Sequence, residues 1–116
     1  MLEPLLERGL LITCPVVELE LHYSARSAAD HRHVVRERRD AYGWVETTAA
    51  VTDLALDLQT RLIAVGRHRG PGPIDLLIAA SAIVHDLTVL HHDADFDAIA
   101  GVSDLDSRWV VPRGSL

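Results

Sequence analysis

"TVLHHDADFDAIAG" (Thr88–Gly101) runs from a β-branched apolar segment into aspartates at every second position, 93, 95 and 97. The first residues read as a short buried strand, and the aspartates as the turn that follows it. No lysine or arginine lies among these acids. Two carboxylates ~4 Å apart repel by about 4 kcal/mol at an effective dielectric of ~20. The turn therefore either splays its acids into water or accepts something positive. Its position bears on the fold class, because open α/β sheets gather ligands outside the carboxyl ends of their strands.

Upstream, "IDLLIAASAIVHD" (Ile74–Asp86) is apolar almost all round and reads as a buried helix that opens on Asp75. Before it, Val51, Leu54, Leu58, Leu62 and Val65 recur at spacings of three and four, an amphipathic helix ending near Gly66. "RHRGPGP" (Arg67–Pro73) is a loop between the two. "LLIT" (Leu10–Thr13) reads as a short strand, and Pro15 suits the first turn of the helix or helices that run to Gly43. "WVET" (Trp44–Thr47) and "RWVV" (Arg108–Val111) read as further strands, and Leu2–Arg8 as a short helix stopped by Gly9. Strands alternating with helices predict an α/β/α sandwich of three layers around a mostly parallel sheet.

The 116 residues suit one domain, residues 1–116, and at 48% hydrophobic the chain is globular. All 11 basic residues are arginines, and the net charge of −6 argues against a general nucleic-acid coat. It leaves room for an enzyme that meets phosphates through metal ions. No apolar run reaches the ~20 residues of a membrane span. No export signal opens the chain and Cys14 stands alone, so the expected compartment is the cytoplasm.

In this architecture Glu18, Asp75 and Asp93 belong to segments that meet at one sheet edge, with Asp95 and Asp97 just beyond. Each acid has an ordinary reading by itself. Acids favour helix N-termini through the macrodipole, and acidic turns are commonly solvated. Together they repel, and Mg²⁺ or Mn²⁺ prefers carboxylate oxygens. A calcium loop from Asp93 to Asp104 would need glycine where Ala98 stands. His31, His33, His91 and His92 with one cysteine supply no standard zinc spacing. Arg67 and Arg69, just ahead of Asp75, are either solvated or able to steer phosphates. The basic run His31–Arg39 is a solvated helix face or the lining of an RNA groove.

"LLITCPVVELELHYSA", "GPGPIDLLIAASA" and "LTVLHHDADFDAIA" resemble consecutive blocks of the PIN domain, in particular the VapC ribonuclease toxins of toxin–antitoxin pairs. The last two blocks are the specific ones, an Asp opening a Leu-Ile-Ala-Ala helix and a strand running into Asp-x-Asp-Phe. The resemblance implies a metal-dependent endoribonuclease with Mg²⁺ or Mn²⁺ on Glu18, Asp75 and Asp93, and Asp95 as a further, outer acid. It implies an RNA substrate, a small antitoxin partner covering the acidic pocket, and a homodimer. Such chains usually open with a strand ending in Asp-Thr/Lys-Ser, whose aspartate is the first ligand. This sequence opens at "MLEPLLERG", so that strand and that acid are expected to be absent. The missing acid motivates a rival reading, a catalytically impaired PIN-like module that binds an antitoxin or dimerises.

Overall fold

The structure, a computed structural model, describes residues 5–7, 11–23, 25–41, 43–91 and 93–109. Strands β1 (Leu5–Glu7) and β2 (Leu11–Thr13) lead into helices α1 (Pro15–His22) and α2 (Ala28–Ala41). Strand β3 (Gly43–Trp44) precedes α3 (Ala49–Ala64) and α4 (Pro73–Val84). Strand β4 (Thr88–His91), α5 (Ala94–Ala100) and β5 (Asp106–Trp109) complete the described chain.

The sheet order is β3-β2-β1-β4-β5. β2 pairs in parallel with β3, and β4 with β5, whereas β1 pairs antiparallel with both its neighbours. Four strands thus point one way and the central one runs against them. The helical reading of Leu2–Arg8 is corrected here, since Leu5–Glu7 is a strand. Three residues carry little propensity of their own, and hydrogen bonding from a strand on each side decides their state. The rest of that span, and Val110 and Val111 of the expected "RWVV" strand, lie outside the described residues.

From the centre, β2-α1-α2-β3 steps outward in one direction and β4-α5-β5 in the other. Crossovers between parallel strands are right-handed with few exceptions, so opposite steps place their helices on opposite faces. That makes a three-layer α/β/α sandwich with its switch point in the middle, between β2 and β4.

Local sequence explains the helix limits. Thr48 caps α3, its side chain accepting from Val51 N–H at 3.4 Å. Val51, Ala55, Leu58 and Leu62 form its buried stripe. At its end Gly66 has φ +71°, a left-handed conformation that costs glycine nothing. Arg67 N–H reaches back to Leu62 O at 2.8 Å and Gly66 N–H to Ile63 O at 3.0 Å, closing a Schellman motif. α4 ends the same way with Asp86 at φ 56° and Leu87 N–H on Ala82 O at 2.7 Å, which feeds the chain into β4. α4 buries Leu76, Ile78, Ala79, Ala80, Ser81 and Ala82 against α3, α5, α1 and β4. Its small residues let those elements approach closely. Leu6, Val89, Phe96 and Ile99 are fully buried in the same core.

Candidate metal centre

The aspartate segment is not a turn. Asp93 is the N-cap of α5, in extended backbone at φ −128°, and its Oδ1 accepts from Asp95 N–H at 2.9 Å. An aspartate N-cap with acids in the first turn satisfies exposed amides and suits the positive end of the helix. Phe96 and Ile99, three apart, supply the buried face. The calcium-loop alternative ends there, since residues 94–100 are helical.

Asp75 stands in the first turn of α4, after Gly72 and Pro73, and its Oδ2 accepts from Gly72 N–H at 3.3 Å. Asp75, Asp93 and Asp95 each bring a carboxylate oxygen to within 4.8 Å of the others. Asp75 and Asp95 are half-buried and Asp93 is exposed. Two ionised carboxylates at such a separation repel by about 3 kcal/mol at an effective dielectric of ~20, less where water screens them. Two helix N-termini offset part of that. Asp95 shows the rest. Desolvation, then the charge of Asp93, then a hydrogen bond with Asp93 hold its carboxyl above the usual carboxylate value.

Oxygens in an octahedral shell with metal–oxygen bonds of ~2.1 Å lie about 3 Å apart when adjacent and about 4 Å when opposite. The three aspartate oxygens need only small side-chain movements to match that, and an all-carboxylate set is the hard-donor chemistry of Mg²⁺ and Mn²⁺. The residues fit such an ion. The place fits as well, at the carboxyl end of β4 beside the switch point.

Glu18 does not join this group. It lies in the first turn of α1, buried, with both carboxylate oxygens 2.9 Å from Nε of Arg38 on α2. Its Oε1 is also 3.5 Å from His22 Nε2. The carboxylate is turned toward a guanidinium, which satisfies it without a metal. Among the described residues, the only three-membered group of metal-binding side chains is the aspartate one, and it contains no histidine. His33 faces Glu37 at 3.1 Å, His91 is buried, and His92 lies outside the described residues.

Arg67 and Arg69 are exposed on the α3–α4 loop, next to Gly70. A Cβ built on Gly70 would sit 2.8 Å from Asp95 Oδ1, so this loop backbone runs against the Asp95 carboxylate. Sequence reasoning missed both that approach and the Arg38 partner of Glu18. A glycine inside "RHRGPGP" signals only a turn, and Arg38 is twenty residues from Glu18. No described helix is long and apolar enough to cross a membrane.

The chain matches the PIN domain profile over residues 2–102. It is 44% identical to "Ribonuclease VapC21" of Mycobacterium tuberculosis over 114 residues, covering 98% of this chain and 83% of that protein. It is 40% identical to "Ribonuclease VapC51" of the same organism, covering 98% and 82%. Among solved structures it superposes with a TM-score of 0.73, at 19% identity, on a chain of the crystal structure of VapBC2 from Rickettsia felis bound to a DNA fragment from their promoter. That match covers 86% of this chain and 74% of the other. The extent of the profile match and the identity to two VapC proteins lead to one conclusion: the chain belongs to the PIN-domain family, in its VapC group.

Proposed function

We propose that the protein is a metal-dependent endoribonuclease, the toxin of a toxin–antitoxin pair, acting as a single domain in the cytoplasm. The observation that carries this is the convergence of Asp75, Asp93 and Asp95, within 4.8 Å, at the carboxyl edge of the sheet. Those three residues would hold Mg²⁺ or Mn²⁺. Such an ion, when bound, makes water a stronger acid and neutralises charge that builds on a phosphodiester under attack. The protein supplies the rest. Gly72 N–H orients Asp75, Asp95 N–H orients Asp93, and the exposed Arg67 and Arg69 attract RNA phosphates toward the acids. Glu18, held by Arg38, fastens α1 to α2 and is assigned no ligand role. The partner is a small antitoxin protein whose C-terminal segment covers the acidic pocket, and the toxin works as a homodimer. The VapC relatives and the VapBC2 complex support this reading.

Purified protein is expected to cut single-stranded RNA with Mn²⁺ or Mg²⁺ and not with chelator. Asp75→Asn should abolish cutting. Equal cleavage by the two proteins removes the proposal.

One observation favours a second reading. With Glu18 occupied by Arg38, the centre has three carboxylates and no fourth acid among the described residues. A catalytically impaired module that only binds an antitoxin or dimerises would show no calorimetric Mn²⁺ binding that depends on Asp75 and Asp93.

A further inference from the structure

At the end of β4, His91 is 1% exposed and its Nδ1 accepts from the backbone N–H of Asp93 at 3.1 Å. A nitrogen that accepts carries no proton, so the neutral ring holds its hydrogen on Nε2. The ring has little freedom. Phe96 of α5 packs against it at a centroid distance of 5.0 Å, and Trp109 of β5 at 5.1 Å. Trp109 is the register partner of His91 across the parallel β4–β5 pair, which puts both side chains on one face. Trp109 Nε1–H in turn donates to Asp97 Oδ2 at 2.9 Å, and Asp97 Oδ1 lies 3.9 Å from His91 Nε2. The imidazole is thus enclosed by β5 on one side and α5 on another, with its lone pair aimed at a single amide.

That amide belongs to a residue whose direction matters. Asp93 turns the chain from β4 into α5, and its carboxylate both caps α5 and reaches the aspartate group. We propose that His91 is a positioning residue for that group: its Nδ1 fixes the Asp93 backbone, and so the direction from which the Asp93 carboxylate meets Asp75 and Asp95. Phe96 and Trp109 fix the ring, and Trp109 also fixes Asp97. The inference rests on reading the aspartates as a cation centre. It adds a device that the centre itself does not require, a buried aromatic base two residues before the carboxylate. Outer contacts of this kind orient ligands, and their loss commonly weakens metal binding by ~10–100-fold.

The two nitrogens are separated by substitution. Asn places an acceptor oxygen where Nδ1 stands, whereas Gln places its amide near Nε2 and Phe offers neither. Mn²⁺ affinity is measured by calorimetry on the wild type, His91→Asn, His91→Gln, His91→Phe and Asp93→Asn. Amide hydrogen exchange at Asp93 is followed without metal, and thermal melts confirm folding. The expected result is roughly tenfold weaker Mn²⁺ binding and faster Asp93 exchange in the Gln and Phe variants. The Asn variant should restore both, although it fills less of the core than Gln. A merely structural role would favour the bulkier Gln and Phe, the opposite order. Wild-type affinity in the Phe variant, or affinities that follow side-chain size, overturns this inference alone. Failure of the wild type to bind Mn²⁺ through Asp93 overturns the cation-centre reading and this inference with it.

Discussion

The backbone of Gly70 lies so close to Asp95 that a Cβ added there would stand 2.8 Å from the carboxylate oxygen Oδ1. The loop bearing Arg67 and Arg69 therefore passes against one acid of the aspartate centre. Gly70→Ala would push a side-chain end, which can swing away, so the melting temperature should change little. Mn²⁺ affinity should fall several-fold, because Asp95 must leave its place. Paired thermal melts and Mn²⁺ titrations check this, and unchanged affinity would show that the approach has no consequence for the centre.

Asp95 is expected to report its crowding through pH. Its folded-state carboxyl sits above the usual value, chiefly through desolvation and then through Asp93. Folding thus makes the ionised form less favourable, a penalty present above the folded pKa. The penalty fades as the pH falls through that raised value toward the unfolded one, about 3.9. Asp95→Asn should raise the melting temperature at pH 7 in chelator and lose that advantage near pH 3. With Mn²⁺ at about 100 times its dissociation constant, the wild type should gain about 2.7 kcal/mol and overtake the variant. Melting curves at the two pH values and with metal decide it.

Glu18→Gln separates anchoring from metal binding. Removing the charge takes away the anion to which the largely buried Arg38 donates its Nε–H, at a cost of about 3 kcal/mol. Mn²⁺ affinity should stay within twofold of the wild type. A large loss of affinity with little change in the denaturation midpoint would return Glu18 to the metal centre.

Cys14 is fully buried where β2 meets α1, and burial pushes its thiol up, outweighing hydrogen bonds from Val17, Val16 and Ser81. A thiol held protonated is a poor nucleophile. At pH 7.5 the native protein should resist a thiol reagent, and reaction should follow unfolding in urea.

Much of this arrangement was legible in the residues. The spacings in α3, the apolar run of α4 and the β-branched start of β4 are local signals, and they place Asp75 and Asp93 at one edge. The acids at 93, 95 and 97 looked like a turn because alternation of charge hides the Phe96–Ile99 spacing that makes α5 a helix. Glu18 resembled its neighbours in type, and only the fold brings Arg38 to it. β1 is still less local, since its register with β2 and β4 sets its state more than its own residues do.

That small strand has a mechanical consequence. Leu6 is the register partner of Ile12 across one border and of Val89 across the other, and among the described residues no other strand borders both β2 and β4. Take it away and the sheet falls into two ribbons, β2 with β3 and β4 with β5. Glu18 and its α1–α2 anchor belong to the first ribbon, Asp93 and Asp95 to the second. Within the sheet three residues join the halves, and disturbing Leu6 should be felt by acids that never touch it.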